Sequence, residues 1–207
     1  MEKRLYIPVE TKNREFDAKL LLACTAAESG YTVVIGYKKQ LLKYLDELPP
    51  GIFFDKSLPL DKLQKFVHYK KLGHKLVAHD EEGLAPFSLE EYQRRRQYCN
   101  ASLEHCEYML AWGEWQADFI RAKAPLFQEK VVATGHPRVD LTRKELRGFY
   151  QEEVEQLLAQ YGRFRLLNTN FSFGNHFYGE GGFVEALEAA GKIRDEVHRQ
   201  FYVAIQH

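Results

Sequence analysis

Short runs of β-branched and apolar residues recur between longer segments of helical period, and this alternation restricts the fold more than any other feature of the chain. Leu5 to Val9 is the first run, and Thr32 to Ile35, Gly51 to Phe54 and Lys75 to Ala78 follow it. Between them lie an amphipathic stretch from about Asn13 to Ser29, on which Phe16, Leu20, Cys24 and Ala27 share a face, and helical segments near 37–47 and 59–72. Gly30 is placed to stop the first helix. The order is βαβαβαβ. Crossovers of this length cannot be hairpins, so the sheet is expected to be parallel and doubly wound, in a Rossmann-like α/β fold that meets its ligands beyond the strand carboxyl ends.

A charged helical stretch (Glu90 to Leu103), a short apolar run (Tyr108 to Ala111), a helix around Gly113 to Lys123 and a strand at Lys130 to Ala133 complete a first domain, assigned to residues 1–142. Residues 143–160 read as a linker helix, and Arg163 to Asn168 as the first strand of a second Rossmann-like unit. The pattern from Gly182 to Gln206 is one helix with no strand after it. Residues 143–207 are therefore expected to be the incomplete start of a second domain, which marks the chain as a fragment or a truncated reading frame.

Lysine and arginine total 29, as do aspartate and glutamate, so no long-range field recruits nucleic acid or anionic lipid. Any phosphate site has to be local. Cys24, Cys99 and Cys106 are odd in number and lack CxxC spacing, against a disulfide framework and against zinc. The apolar run in MEKRLYIPVETKNREF is too short for a signal peptide or a membrane span. A cytoplasmic location is expected, with peripheral attachment to the inner membrane left open.

Four segments carry side chains suited to chemistry. In Pro8 to Phe16, where the first strand turns into the first helix, Glu10, Lys12 and Arg14 are candidates for substrate binding; the alternative is a helix start capped by Asn13 with Glu15 near the positive end of the dipole. No GxGxxG stands in that turn, which argues against a nicotinamide enzyme. In His79-Asp80-Glu81-Glu82-Gly83-Leu84, three acids follow the fourth strand directly. Crowded carboxylates raise one another's pKa toward a range useful for acid or base work, which makes Asp80, Glu81 and Glu82 catalytic candidates. A metal held by these acids and His79, or a loop in which Asp80 or Glu81 caps the next helix, is the alternative.

Val132 to Asp140 runs a strand into a Gly-His-Pro-Arg turn. Arg138 suits a bidentate grip on phosphate or carboxylate, and His136 and Asp140 are placed to act on a substrate; the alternative is a turn held by an Arg138–Asp140 ion pair. In Leu166 to His176, Asn170 and Ser172 are candidates for a donor phosphate, against a plain turn-rich loop. Trp112 and Trp115 suit either a sugar platform or core packing.

YIPVETKNREFDAKLLLA, HDEEGL, YMLAWGEWQAD, ATGHPRVDL and LLNTNFSFGN, spread in that order over residues 5 to 175, resemble the bacterial surface carbohydrate biosynthesis proteins. Those are similar in turn to GT-B glycosyltransferases and, more distantly, to β-Kdo transferases. The resemblance implies an N-terminal lobe holding acceptor and a C-terminal lobe holding most of a nucleotide-sugar donor. It implies Glu10, Lys12 and Arg14 in the cleft, Asp80 to Glu82 as base or electrostatic group, His136, Arg138 and Asp140 at the domain junction, and Asn170 and Ser172 at the donor phosphate. The implied activity is sugar transfer to a glycan or lipid-linked acceptor, with no permanently bound cofactor and no metal assigned. A CMP-linked ulosonic acid is one donor candidate, and self-association is left open. The sequence departs from the family's pattern at its C-terminal end, where most of a donor domain is missing, so little transfer is expected from these 207 residues alone. A nucleotide-sugar 2-epimerase, or a non-catalytic remnant that binds a sugar nucleotide or a partner protein, is the rival reading.

Overall fold

A computed structural model of the chain describes residues 3–81, 88–167 and 181–204. Six strands form one sheet: β1 (Arg4–Val9), β2 (Thr32–Tyr37), β3 (Ile52–Asp55), β4 (Lys75–His79), β5 (Tyr108–Ala111) and β6 (Val131–Ala133). Every pairing is parallel and the spatial order is β2-β1-β3-β4-β5-β6. The fold is the expected Rossmann-like, doubly wound α/β architecture. Because β2 lies on one side of β1 and β3 on the other, consecutive crossovers leave in opposite directions there. Their divergence opens a crevice at the carboxyl ends of β1 and β3.

Helices α1 (Lys12–Glu28), α2 (Lys38–Lys43), α3 (Leu63–Lys71), α4 (Leu89–Arg96), α5 (Asn100–Glu104), α6 (Glu114–Lys123) and α7 (Pro137–Asp140) fill the connections. Side chains alternate across the sheet, so neighbours in one strand enter different cores. Tyr6, Phe53, Leu76, Ala78, Met109 and Ala111 pack on one face against Phe66, Tyr69 and Leu103, all buried. Leu5, Ile7 and Phe54 occupy the other face with Ala23 of α1.

The helix boundaries and faces differ from expectation at identifiable residues. Gly30, at φ +82°, does end α1, and its amide donates to Ala27 O. The cap at the other end is Thr11, not Asn13. The buried stripe of α1 is Glu15, Ala18, Lys19 and Ala23 rather than the Phe16–Leu20–Cys24–Ala27 face, and Cys24 and Ala27 are exposed. Two charged residues inside that stripe hid it from a hydrophobic reading. The single helix expected over 90–103 is split into α4 and α5 by Gln97, whose left-handed φ of 55° stops the first.

The chain divides into two compact units, residues 1–151 and 152–207, so the boundary falls nine residues past the expected 142. The expected linker helix resolves into a 3-10 run at Lys144–Tyr150 and α8 (Gln151–Tyr161). Residues 163–167 are in no strand, and Leu166 and Leu167 are 80% and 85% exposed. An extended segment needs a neighbouring ladder, and among the described residues every strand belongs to the one sheet of the first unit. The long C-terminal helix is two, α9 (Gly182–Ala189) and α10 (Glu196–Ala204), separated at Gly191, whose φ of +63° ends α9. They are joined by an Arg199–Glu188 ion pair of 2.5 Å and an edge-on Phe183–Tyr202 contact. No helix among the described residues is long and apolar enough to cross a membrane.

Candidate functional site

Each strand delivers a polar or aromatic side chain to the carboxyl rim of the sheet. Glu10 follows β1, Lys38 follows β2, Asp55 ends β3, His79 ends β4 with Asp80 and Glu81 behind it, Trp112 follows β5, and His136 and Arg138 follow β6. Glu15 and Lys19 are added from the first turns of α1. Nine acidic, basic or histidine side chains are buried among the described residues: Glu15, Lys19, Lys38, Asp55, His74, His79, Asp80, Glu81 and His136. Only His74, which precedes β4, is away from this rim.

One half of the rim centres on Glu81. Its Oε1 lies 2.9 Å from Lys19 Nζ, and Lys19 also donates to Glu15 Oε2 at 3.0 Å and to Pro8 O at 2.7 Å. Burial pushes the Glu81 carboxyl above its ordinary value, and the Lys19 charge only partly offsets this. Glu15 goes the other way. Its burial is outweighed by hydrogen bonds from Arg14, from the Glu10 amide and from Lys19, which hold it at about 2. Arg138 donates from its guanidinium to Glu81 O and lies over the Trp112 ring at 5.8 Å.

Trp112 stacks on His136 with ring centroids 4.0 Å apart, and His136 lies 4.4 Å from His79. The Arg138 amide donates to His136 Nδ1 at 3.0 Å, which puts the proton of the neutral ring on Nε2. Burial lowers His79 to about 4; burial, followed by the neighbouring His79 and Arg138, lowers His136 to about 3. Neither Nε2 has a hydrogen-bond partner among the described residues. Both rings, with Lys19, Glu81, Glu15 and Arg138, line a cavity of about 10 Å³, close to the room needed by one water molecule. A wider pocket of about 240 Å³ adjoins at Arg138 and is lined also by Arg14, Asn13, Asp17, Thr142 and Tyr150.

The other half lies over the β1–β3 crevice. Lys38 Nζ bridges Glu10 Oε1 at 2.7 Å and Asp55 Oδ1 at 3.2 Å, Lys56 pairs with Glu10 Oε2, and Lys65 stands 3.6 Å from Asp55 Oδ2. Burial opposes the ionisation of Glu10, but hydrogen bonds from Lys38 and Lys56 and their charges bring it to about 2. Asp55 is wholly buried and still held below the ordinary carboxylate range, because Lys38 and Lys65 outweigh its desolvation.

The sequence-assigned residues divide accordingly. Glu10, Arg14, Glu81, His136 and Arg138 are brought to the rim, whereas Lys12 is exposed. Asp80 is wholly buried and its carboxylate is spent on structure: Tyr92 and Tyr98 hydroxyls donate to Oδ2 at 2.7 Å each, Arg96 pairs with Oδ1 at 3.1 Å and Gln116 approaches at 3.4 Å. This enclosed carboxylate positions the loop and has no approach for a substrate. It does not cap the next helix, since Ser88 caps α4. Asp140 pairs with Arg143 at 2.8 Å, and the Arg138–Asp140 ion pair weighed as the alternative is not formed. Glu82, Asn170 and Ser172 lie outside the described residues. Trp112 packs under the rim, while Trp115 is half exposed beside Phe119. No group of three or more acidic, histidine or cysteine side chains suited to a metal occurs among the described residues.

Glu15, Lys19, Lys38 and Asp55 were not singled out from sequence for a role at the rim, and His79 entered only through the metal-ligand alternative. A signal for the first two did exist: they fall at i and i+4 on the same helical stripe as Ala18 and Ala23, where charge is out of place.

Fold and rim together define a doubly wound α/β protein with a dense cluster of charged side chains at the carboxyl edge of its sheet. Comparisons with protein-family models, with curated protein sequences and with solved structures returned no match.

Proposed function

We propose that this chain carries the substrate-handling lobe of a glycosyltransferase-like protein of bacterial surface polysaccharide biosynthesis, which moves a sugar from a nucleotide-sugar donor to a glycan or lipid-linked acceptor in the cytoplasm. The observation that carries the reading is the confinement of eight of the nine buried acidic, basic and histidine side chains to one edge of the sheet. Buried ion pairs are a poor way to stabilise a fold, and replacing them by apolar groups is often neutral or stabilising by about 1–4 kcal/mol. Their collection where doubly wound sheets meet ligands argues for chemistry. The ordered motifs that resemble the surface carbohydrate proteins direct that chemistry to sugar transfer.

In this reading Glu81 is the base. Its raised pKa favours accepting the acceptor hydroxyl's proton as that oxygen attacks the anomeric carbon and the bond from sugar to phosphate breaks. Arg14 and Arg138, which line one pocket, take the charge developing on the departing phosphate. Lys19 positions Glu81, and the neutral His79–His136 pair stabilises the loop beside it.

The test, on protein that includes a complete donor-binding lobe, is calorimetry with CMP-, UDP- and GDP-sugars followed by a labelled transfer assay. One nucleotide class is expected to bind. Glu81→Gln is expected to keep that binding and to lower turnover by about 100-fold or more. Binding of no class removes the reading, and interconversion of free nucleotide sugars without an acceptor moves it to an epimerase.

A further inference from the structure

The pocket over the β1–β3 crevice is separate from the Glu81 cavity and has a different character. It encloses about 480 Å³ and is lined by Glu10, Tyr37, Lys38, Lys39, Lys62 and Lys65, a size within the range of small-molecule sites. Lys38 and Lys65 reach it from above the buried Asp55, Lys39 from α2, and Lys62 from the turn before α3. With Lys56, five lysines surround the two carboxylates of Glu10 and Asp55. A chain with 29 basic and 29 acidic residues thus concentrates an excess of three positive charges at one crevice.

The charges are not used up internally. Lys38 and Lys56 are committed to Glu10 and Asp55, but the side chains of Lys39 and Lys62 make no ion pair with any described residue. Lys65 is 3.6 Å from Asp55 Oδ2, beyond hydrogen-bond reach, and that oxygen has no hydrogen-bond partner among the described residues. Desolvation and the charges of Lys38 and Lys62 together make Lys65 harder to keep protonated than an ordinary lysine. An anion entering beside Lys39, Lys62 and Lys65 relieves that repulsion. Tyr37, half exposed at the mouth, offers a ring face to whatever the anion is attached to.

We infer that this pocket binds a phosphate or pyrophosphate group through Lys39, Lys62 and Lys65. The inference rests on the glycosyltransferase reading only for whose phosphate it is, a nucleotide's or a lipid-linked acceptor's. Anion recognition itself follows from the lysines.

The experiment is titration of the full chain with pyrophosphate, read by calorimetry at two salt concentrations. The variants are Lys39→Ala, Lys62→Ala and Lys65→Ala, with Lys71→Ala, exposed near the end of α3, as the control. Saturable binding is expected, weakened by added salt and by about tenfold in each of Lys62→Ala and Lys65→Ala, with Lys71→Ala unchanged. Competition then uses UDP and CMP in one arm and a short-chain polyprenyl phosphate in detergent micelles in the other, and displacement in one arm identifies the owner of the phosphate. No saturable binding, or affinity equal in all four variants, overturns the inference, and displacement in neither arm overturns the assignment of the phosphate to a nucleotide or a lipid-linked acceptor. Pyrophosphate binding, with no nucleotide-sugar turnover by protein that includes a complete donor-binding lobe, would leave the site standing and remove the transferase. Turnover with no lysine dependence would do the reverse.

Discussion

Lowering the pH from 7.5 to 5.5 should destabilise the first unit by about 2.5–3 kcal/mol through His79 and His136 alone. In the unfolded chain an imidazole titrates near 6.5, so at pH 5.5 it is about nine-tenths protonated. In the folded protein these rings titrate at about 4 and about 3 and remain neutral. The unfolded state therefore binds more protons throughout that window, and stability must fall with pH. Each ring contributes a loss of about 1.3 kcal/mol between the two pH values. His74, lowered chiefly by burial, adds in the same direction.

The window separates the histidines from most carboxylates. Glu10 and Glu15, held at about 2, stabilise the fold above the unfolded carboxyl value, and that contribution is lost only as the pH falls from about 4.5 toward 2. Glu81 acts with the opposite sign, since a carboxyl raised by burial destabilises as pH rises past its unfolded value. Repeating the measurement in Glu81→Gln removes it. The assay is urea unfolding followed by tryptophan fluorescence, extrapolated to water at each pH. In His136→Gln the loss should shrink by about 1.3 kcal/mol. A loss below about 1 kcal/mol in the parent chain, or an unchanged loss in His136→Gln, would refute the enclosed neutral pair.

Tyr98→Phe removes one of the hydroxyls that hold Asp80 and should cost about 1.5–3 kcal/mol in denaturant unfolding, with a change under about 0.5 counting against the network. Lys19→Met leaves Glu15 and Glu81 without their shared cation and should cost about 3–5 kcal/mol; recovery in a Lys19→Met, Glu81→Gln double variant would identify Glu81 as the stranded charge. Gly51→Ala should lower stability by about 1–3 kcal/mol in a thermal melt, because its Cβ would stand 2.8 Å from both Arg4 Cβ and the Tyr6 ring while Tyr6 is anchored to Pro49 O.

The sheet was legible because each strand is a short, largely apolar run set between segments of helical period, and β1 to β6 all fall within two residues of the runs read from sequence. Helix ends were less legible. Gln97 and Gly191 interrupt helices through a left-handed backbone that periodicity does not register, and Gln97 has no compositional warning at all. Residues 163–167 show the converse: RFRLL has strand composition, but composition cannot supply a neighbour to pair with.

At the site, sequence proximity misled where spatial pairing decided. Asp80 and Glu81 are adjacent in the chain and look equivalent, yet the backbone turns one into a cage of Tyr92, Tyr98, Arg96 and Gln116 and the other toward Lys19. The cage leaves Asp80 no room for a substrate, whereas Glu81, its carboxyl pushed up by burial, faces a cavity lined also by Lys19 and Arg138. Their difference comes from partners 12 to 62 residues away, so it could be read only after the crossovers had folded. The same applies to Lys38, which opens α2, and Asp55, which ends β3, with no shared motif. The parallel order β2-β1-β3 makes them neighbours across β1, and that topology turns ordinary surface-type lysines into a crevice with an excess of positive charge.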